Sequence, residues 1–297
     1  MRHGEFFWQS ADGLRLFAQC WQPNEAPLAV VCVVHGVGEH SGRYVEMAEA
    51  FTQAGFALLA FDLRGHGKSE GARGDAPGYE VLLNDVGLLL KKARNHVPHC
   101  PQYLFGHSMG GNLVLNYTLR RRPEIAGVLV SAPALRLPHK PAAWKLAGAR
   151  LCYNLWPSLP LRKGLHPRVR TSDVTAVQAY KRDPLSHARI SVRLAMDLLA
   201  SGEWALQHAG EFSLPLLLMH GSADRIASVN ASNLFAKRVK RDCVFKLWDE
   251  FYHELHSEPQ RKIVFLYQIG WLLGHLPKPA HSPLDELSHI INDGLRD

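Results

Sequence analysis

The protein has 297 residues, of which 46% are hydrophobic and 21% are charged. This balance excludes a disordered chain, because enough apolar side chains are present to offset the conformational entropy lost on folding. Its 34 lysines and arginines against 27 acidic residues give a formal net charge of +7. The five cysteines are scattered and form no CxxC pair, so their spacing predicts neither a disulfide framework nor a zinc site.

No segment of the sequence predicts a membrane-spanning helix. The first 21 residues carry charged and polar side chains throughout, which differs from the apolar stretch of a cleaved signal peptide. The longest apolar run, Leu28–Val34, is far shorter than the roughly 18 residues that a spanning helix needs. We therefore expect a cytoplasmic protein.

Short apolar runs alternate along the chain with segments of helical length. Such runs are typical of buried parallel strands, because helices cover both faces of their sheet. Helices are predicted at Tyr44–Gln53, Tyr79–His96 and Met109–Arg122. The order predicts an α/β protein with a mostly parallel central sheet flanked by helices. The predicted strands are Leu28–Val34, Phe56–Phe61, Tyr103–Gly106, Gly127–Val130, Leu214–Met219 and Val244–Trp248.

The alternation stops in the middle of the chain. Two helices are predicted there, Pro141–Trp156 and Ile190–Trp204, with a proline-rich break and no strand between them. A helical insertion between two strands is typical of a cap over the edge of a sheet. The predicted division is a core of residues 1–135 and 211–276, a cap of residues 136–210, and a C-terminal tail of residues 277–297 with a short amphipathic helix.

The cap carries the excess of positive charge. Between Arg136 and Arg170 lie eight lysines and arginines and no acid, together with Trp144 and Trp156. No nucleic-acid-binding motif accompanies this charge, so we expect no nucleic-acid partner. A basic segment with tryptophans favours peripheral contact with an anionic membrane, here the inner membrane surface. The alternative is that these side chains pack on the core and the cations extend to water.

A candidate nucleophile lies between a predicted strand and a predicted helix. Gly106-His107-Ser108-Met109-Gly110 directly follows the strand and opens the helix, which is the context of a nucleophile elbow. The two glycines give the room that such a sharp turn requires. The free N–H groups at the start of the helix can stabilise a developing oxyanion. The motif therefore predicts Ser108 as a catalytic nucleophile.

A serine nucleophile needs a histidine base and an orienting carboxylate. In this architecture the acid and the histidine follow the serine in the chain, each on a loop after a strand. Asp224 lies just past Leu214–Met219, and His253 lies just past Val244–Trp248. The order predicts a Ser108–His253–Asp224 triad. The weaker competitors are His256 for the base, and Asp249 and Glu250 for the acid.

The oxyanion also needs backbone donors. One is the N–H of Met109, the residue after the nucleophile, and the second is expected from the loop that follows the strand ending at Val34. His35-Gly36-Val37-Gly38 occupies that loop. We therefore predict the N–H groups of Val37 and Met109 as the oxyanion hole.

These motifs occur in an order that resembles a known family. The chain is similar to the monoacylglycerol lipases and lysophospholipase-like hydrolases of the serine aminopeptidase type, which have the α/β-hydrolase fold. The resemblance implies a lipid ester substrate, the same triad and oxyanion hole, and a mobile cap that lines an acyl tunnel. Its remaining motifs are His35 to Tyr44 (HGVGEHSGRY), Asp62 to Gly71 (DLRGHGKSEG), His220 to Asp224 (HGSAD) and Tyr252 to Leu255 (YHEL).

Within that resemblance, Trp144, Leu151, Leu155 and Trp156 are the predicted substrate-binding residues of the cap. The implied chemistry is ester hydrolysis through an acyl-enzyme, most simply of monoacylglycerol, and it needs no metal or organic cofactor.

Other functions stay open at this stage. The same triad serves a lysophospholipase, a general carboxylesterase or an acyltransferase, because it does not distinguish water from an alcohol as the acceptor. A non-catalytic binding protein with this fold is a further alternative, which the intact serine, aspartate and histidine disfavour. The sequence leaves the acyl length and the oligomeric state undetermined.

Overall fold

An eight-stranded sheet with helices on both faces forms the body of the computed structural model, which describes residues 1–162 and 167–277. Its strands are β1 (Arg2–Gln9), β2 (Arg15–Gln22), β3 (Val30–Val34), β4 (Ala57–Phe61), β5 (Gln102–His107), β6 (Gly127–Ser131), β9 (Leu216–Gly221) and β10 (Cys243–Trp248), and β7 (Pro160–Arg162) and β8 (Arg189–Ser191) form a separate pair. The α-helices are α1 (Val45–Gln53), α2 (Tyr79–His96), α3 (Met109–Arg121), α4 (Ala143–Leu155), α5 (Val174–Arg182), α6 (Val192–His208), α7 (Val229–Arg238) and α8 (Arg261–Gly274).

The strands of the large sheet follow the order β1-β2-β4-β3-β5-β6-β9-β10. From β4 to β10 all neighbours pair in parallel, and β2 joins β4 antiparallel. Every residue of β3, β4, β5, β6 and β9 is buried, as expected for strands covered on both faces. The predicted α/β class with a mostly parallel sheet is confirmed.

The buried strands β3, β4, β5, β6 and β9 each contribute to two hydrophobic cores. In β3, Cys32 and Val34 pack in the core that contains side chains of α2, α3 and α6. Val31 and Val33 point to the opposite core, which contains side chains of α1 and α8. This alternation follows from the two-residue period of a strand, and it explains why the buried strands read as continuous apolar runs.

The insertion lies between β6 and β9, and it differs in detail from the prediction. Its helices α4 and α6 lie close to the predicted ones, but α5 was not predicted, and the absence of strands was wrong. β7 and β8 pair antiparallel, with Leu161 opposite Ile190. Three-residue strands are too short to produce an apolar run. A signal for α5 does exist, since Asp173 caps it by accepting the N–H groups of Thr175 and Ala176.

The amino-terminal hairpin of β1 and β2 was also missed. β1 is an edge strand that exposes most of its side chains, so it contains no run typical of a buried strand. Apart from Pro277, the predicted amphipathic tail lies outside the described residues. Among the helices of residues 1–162 and 167–277, none is long and apolar enough to cross a membrane.

The close contact between α3 and β3 yields a prediction. A Cβ atom on Gly110 would lie 2.0 Å from the carbonyl oxygen of Val34, so Gly110→Ala forces the helix away from the sheet. We expect a loss of about 3 kcal/mol or more in the free energy of unfolding. Gly148→Ala in α4 is the control, because no atom lies within 4 Å of its added Cβ and alanine favours a helix. Urea unfolding measures both, and equal stability of the two variants would contradict the prediction.

Candidate active site

Ser108 lies on a sharp turn between β5 and α3. Its φ of 54° and ψ of −113° are rare for a residue with a side chain. Backbone hydrogen bonds hold this conformation: the Ser108 N–H donates to Ser131 at 3.0 Å, and its carbonyl accepts from Asn112 and Ala134 at 3.0 and 2.9 Å. The turn projects the hydroxyl towards the loops that follow β9 and β10.

The structure brings the three predicted triad side chains into one hydrogen-bonded series. Ser108 Oγ lies 2.8 Å from His253 Nε2, and His253 Nδ1 lies 2.7 Å from Asp224 Oδ2. Because a carboxylate only accepts, Nδ1 carries the proton and Nε2 is free to accept from the serine hydroxyl. His253 and the carboxylate of Asp224 are both buried. This is the arrangement in which an imidazole can remove a proton from a serine.

Asp224 has a second imidazole partner that the sequence analysis did not single out. His220 Nε2 lies 2.8 Å from the same Oδ2 atom, and His220 Nδ1 lies 2.8 Å from the hydroxyl of Ser232. The other oxygen accepts the N–H groups of Ile226 and Ala227. Burial alone would raise the pKa of Asp224, but attraction to His253 and hydrogen bonds from both histidines outweigh it and hold the pKa far below its usual value. The carboxylate therefore stays ionised.

The predicted oxyanion loop lies against the nucleophile. Val37 and Met109 both line the cavity that contains Ser108. A Cβ atom on the neighbouring Gly36 would lie 2.7 Å from Glu39 Oε1 and 3.1 Å from Ser108 Cβ, so a side chain at this position would crowd both residues. His35 fixes the start of the loop, because its Nε2 accepts the Leu63 N–H at 2.9 Å. The two backbone N–H groups remain the predicted oxyanion donors.

The cavity at Ser108 and His253 has a volume of about 430 Å³. Glu39, His107 and Arg170 give it a polar region. Its walls are otherwise largely apolar, which suits a chain of methylene groups beside a polar head. The apolar lining residues are Val37, Met109, Ala134, Leu137, Pro138, Ile190, Ala195, Leu198, Leu199 and Ile226.

The cap residues predicted to bind substrate lie elsewhere. Trp144, Leu151, Leu155 and Trp156 are between 59% and 76% exposed, and none of them lines this cavity. That part of the prediction is corrected: the cap contributes Leu137, Ile190 and the α6 side chains instead. α4 packs against α6 and contacts it through another side of the helix, where the Tyr153 hydroxyl donates to Asp197 of α6 at 3.0 Å and a stripe of side chains is partly buried. This stripe is formed by Leu146, Ala149 and Cys152, each half-buried.

A buried network of charges lies beside the triad, and the sequence analysis missed it. Glu254, next to His253, accepts from Arg43 Nη2 at 2.7 Å and from Arg170 Nη1 at 2.6 Å. Glu39 lies 3.4 Å from Arg43 Nε and accepts the Gly36 N–H. Glu39, Arg43 and Glu254 stand in quoted motifs, but no pattern in the cap singles out Arg170.

The ionisation of this network follows from its contacts. Burial alone would raise the pKa of Glu254, but the charges of Arg43 and Arg170 lower it from 4.5 to about 2. The pKa of Glu39 also lies well below its usual value, because contacts with His256 and Arg43 outweigh burial. Burial lowers the pKa of His107 well below its usual value, so this imidazole is neutral. In the described part of the chain, no cluster of three or more His, Cys, Asp or Glu is placed to hold a metal ion.

The low pKa of Glu254 predicts an acid dependence of stability. A carboxylate with a lowered folded-state pKa stabilises the protein above its unfolded pKa, and this contribution is lost as the pH falls from 4.5 to about 2. The free energy of unfolding of wild type should fall more steeply over this range than that of Glu254→Gln. One proton accounts for a difference in slope of up to about 1.4 kcal/mol per pH unit.

Urea unfolding at each pH measures this difference. Glu124→Gln is the control, because Glu124 is exposed, and it should keep the wild-type slope. Identical slopes for wild type and Glu254→Gln would contradict the assigned ionisation.

The sheet, the inserted helices and the strand-to-helix turn at Ser108 define an α/β-hydrolase fold. The sequence profile of the serine aminopeptidase, S33, family matches residues 25–260. The chain belongs to this family of hydrolases.

Individual proteins and structures are similar over most of the chain. A monoacylglycerol lipase of Mycolicibacterium smegmatis is 33% identical, covering 92% of this chain and 98% of that protein. An uncharacterised abhydrolase domain-containing protein of Dictyostelium discoideum is 36% identical over 89% of this chain, which spans only 28% of that protein. The crystal structure of a Paleococcus ferrophilus monoacylglycerol lipase matches with a TM-score of 0.80 and 33% identity, covering 88% of this chain and 99% of that one.

Proposed function

We propose that the protein hydrolyses carboxylic esters of lipids, with monoacylglycerol cleaved to glycerol and a fatty acid. The observation that carries the proposal is the series Ser108–His253–Asp224 at a cavity with mainly apolar walls. The similarity to monoacylglycerol lipases of two other organisms supports the same substrate class. The apolar walls suit the acyl chain, and Glu39 and His107 suit hydroxyl groups of the alcohol.

In the proposed mechanism, His253 Nε2 takes the proton of Ser108 as the serine oxygen attacks the ester carbonyl. The N–H groups of Val37 and Met109 stabilise the negative charge that develops on the carbonyl oxygen. Asp224 stabilises the imidazolium of His253. His253 then gives the proton to the leaving glycerol oxygen, which breaks the ester bond and leaves the acyl group on Ser108. Water, deprotonated by His253, attacks this acyl-enzyme; the bond between Ser108 Oγ and the acyl carbon breaks, His253 returns the proton to Ser108 Oγ, and the fatty acid is released.

The first experiment compares hydrolysis of 1- and 2-monoacylglycerols, a lysophospholipid and a short-chain ester of matched concentration. We expect monoacylglycerol to give the highest kcat/KM. Ser108→Ala should lower the rate on the order of 10⁶-fold and abolish labelling by a fluorophosphonate. Asp224→Asn should lower kcat on the order of 10⁴-fold, because the carboxylate that fixes the imidazole is lost.

Asp249→Asn is the matched control, because Asp249 is an exposed acid near His253 that bonds only Ser222 among the described residues. It should keep nearly full activity. Equal losses in Asp249→Asn and Asp224→Asn, or labelling of Ser108→Ala, would refute the assigned triad. A preference for the lysophospholipid or the short-chain ester would replace monoacylglycerol with that substrate, and glycerol acylation in place of hydrolysis would indicate an acyltransferase.

We further propose that residues 136–210 act as a cap that contacts the inner surface of an anionic membrane. The alternative that α4 packs on the core is disfavoured, because no side chain of α4 is buried. Trp144 and Leu155 are 74% and 76% exposed. Exposed apolar side chains next to Lys145 and Arg150 favour a lipid surface, where the apolar groups enter the interface and the cations meet the headgroups.

Membrane contact predicts binding to phosphatidylcholine vesicles that contain phosphatidylserine. Replacing Lys140, Lys145 and Arg150 by Gln should weaken this binding about 100-fold, at about 1 kcal/mol for each cation. Wild-type binding should also weaken as salt is added. The control variant, Lys91→Gln/Lys92→Gln/Lys262→Gln, changes the net charge equally on α2 and α8 and should bind as wild type. Sedimentation with the vesicles measures all three proteins, and equal binding by both variants would exclude this role of the cap.

A further inference from the structure

The loop that carries His253 is bonded on both sides of the histidine to one short segment of the cap. This segment, residues 170–173, is here named the brace. On one side, the Glu254 N–H donates to the Arg170 carbonyl at 2.7 Å, and Arg170 Nη1 donates to the Glu254 carboxylate at 2.6 Å. Main chain and side chain of the brace therefore both hold the residue that follows His253.

On the other side, Glu258 joins the residue before His253 to the brace. Its carboxylate accepts the Tyr252 N–H at 2.9 Å and the Ser172 N–H at 3.2 Å, and it also accepts the Ser172 hydroxyl. Thr171 Oγ1 donates to the Ser257 carbonyl at 2.9 Å. The backbone of His253 is thus fixed between two carboxylates that both bond the brace.

Arg170 is itself held in one position. Its side chain is mostly buried, its guanidinium lies 4.3 Å from the centre of the Tyr180 ring, and Nη2 donates to the Tyr180 hydroxyl at 3.1 Å. A buried ion pair with this geometry is costly to break, because removal of one partner leaves a charge uncompensated away from water. Loss of the Arg170 charge would leave Glu254 with Arg43 as its cation.

The position of His253 decides whether it can act as a base. Its imidazole must reach Ser108 and Asp224 at the same time, and displacement of about 1 Å can lower a rate about 100-fold. Glu254 and Glu258 do not line the cavity, so neither touches a bound ester. An effect of these residues on the chemical step is therefore indirect, and the histidine that performs this step lies between them in the chain.

We infer that the cap positions the general base: Arg170 is a positioning residue that, through Glu254, holds His253 in reach of Ser108. This inference rests on the proposed function of the triad. The cap therefore has two parts. The brace is fixed and completes the active site, and other residues of the cap cover the cavity. α4, with no buried side chain, is separate from this fixed part.

The test uses the full-length protein and four variants, Glu254→Gln, Arg170→Met, Arg170→Lys and Asp75→Asn. Two rates are measured: inactivation by a fluorophosphonate, which reports the reactivity of Ser108 without a chosen substrate, and hydrolysis of monoacylglycerol. Asp75→Asn is the matched control. Asp75 Oδ2 lies 2.8 Å from Arg193 Nη2 and forms another ion pair between core and cap, and this pair does not touch the loop of His253. Circular dichroism and thermal unfolding verify that each variant is folded.

We expect Glu254→Gln and Arg170→Met to lower the inactivation rate and kcat in parallel, about 10- to 100-fold, with KM of Glu254→Gln within about twofold of wild type. Arg170→Lys should recover a large part of both rates, since it restores the charge beside Glu254. Asp75→Asn should keep wild-type rates. If Glu254→Gln does not fold, the comparison of Arg170→Met with Arg170→Lys decides.

Three results would overturn the inference. The first is a wild-type inactivation rate in the folded variants of Glu254 and Arg170. The second is a loss of rate in Asp75→Asn equal to theirs. The third is a change in KM alone in the Arg170 variants. The last would make Arg170 a substrate contact. Failure of the proposed function is distinguishable, because wild type would then react with the fluorophosphonate but leave monoacylglycerol intact.

Discussion

The buried carboxylate of Asp224 is the constraint on which the geometry of the site depends. Its side chain has no contact with solvent, so its charge has to be stabilised by hydrogen bonds. Four groups supply them, two imidazoles on one oxygen and two backbone N–H groups on the other. Donation to Asp224 fixes the tautomer of His253 with its proton on Nδ1. The lone pair of Nε2 then has a single direction, towards Ser108.

The charged groups beside the triad compensate one another. Arg43 and Arg170 face the carboxylates of Glu39 and Glu254, and the pair of cations and the pair of anions compensate each other. His107 lies 4.8 Å from the ring of His253, where a second positive charge would oppose the imidazolium formed in the proposed reaction. Because burial keeps His107 neutral, that repulsion is absent.

The elements that could be predicted from the sequence are those whose determinants are local. Each parallel strand from β4 to β10 contains a short apolar run, and Ser108, Asp224 and His253 each follow such a run within a few residues, so a strand prediction also locates them. The edge strand β1 has no such run, because one face meets water. The ion pair of Arg170 with Glu254 joins residues 84 positions apart in the chain, and no local pattern specifies it.

The sequence also could not predict that the large apolar side chains of α4 point outward. An apolar stripe that lines a cavity and one that faces a lipid surface have the same residues and the same spacing, and only the position of the helix relative to its neighbours separates them. In α4 the half-buried Leu146, Ala149 and Cys152 lie on one side of the helix, and Trp144, Leu151 and Leu155 are exposed on the other. Whether these residues contact substrate therefore depends on how α4 packs on α6. The sequence alone does not show this packing.

Two parts of the cap, α4 and the brace, are held in place by different forces. This difference suits a lipid substrate. The brace is held by buried, charge-assisted hydrogen bonds, which are strong only where water is excluded. α4 is held by limited contact with α6 and presents apolar surface that is unfavourable in water. A lipid surface that covers this face would lower the free energy of conformations in which α4 moves with it, while the brace, bonded to the loop of His253, would stay in place. Under the two proposals for the cap, access for the substrate and the position of the base would be controlled by separate parts of one insertion.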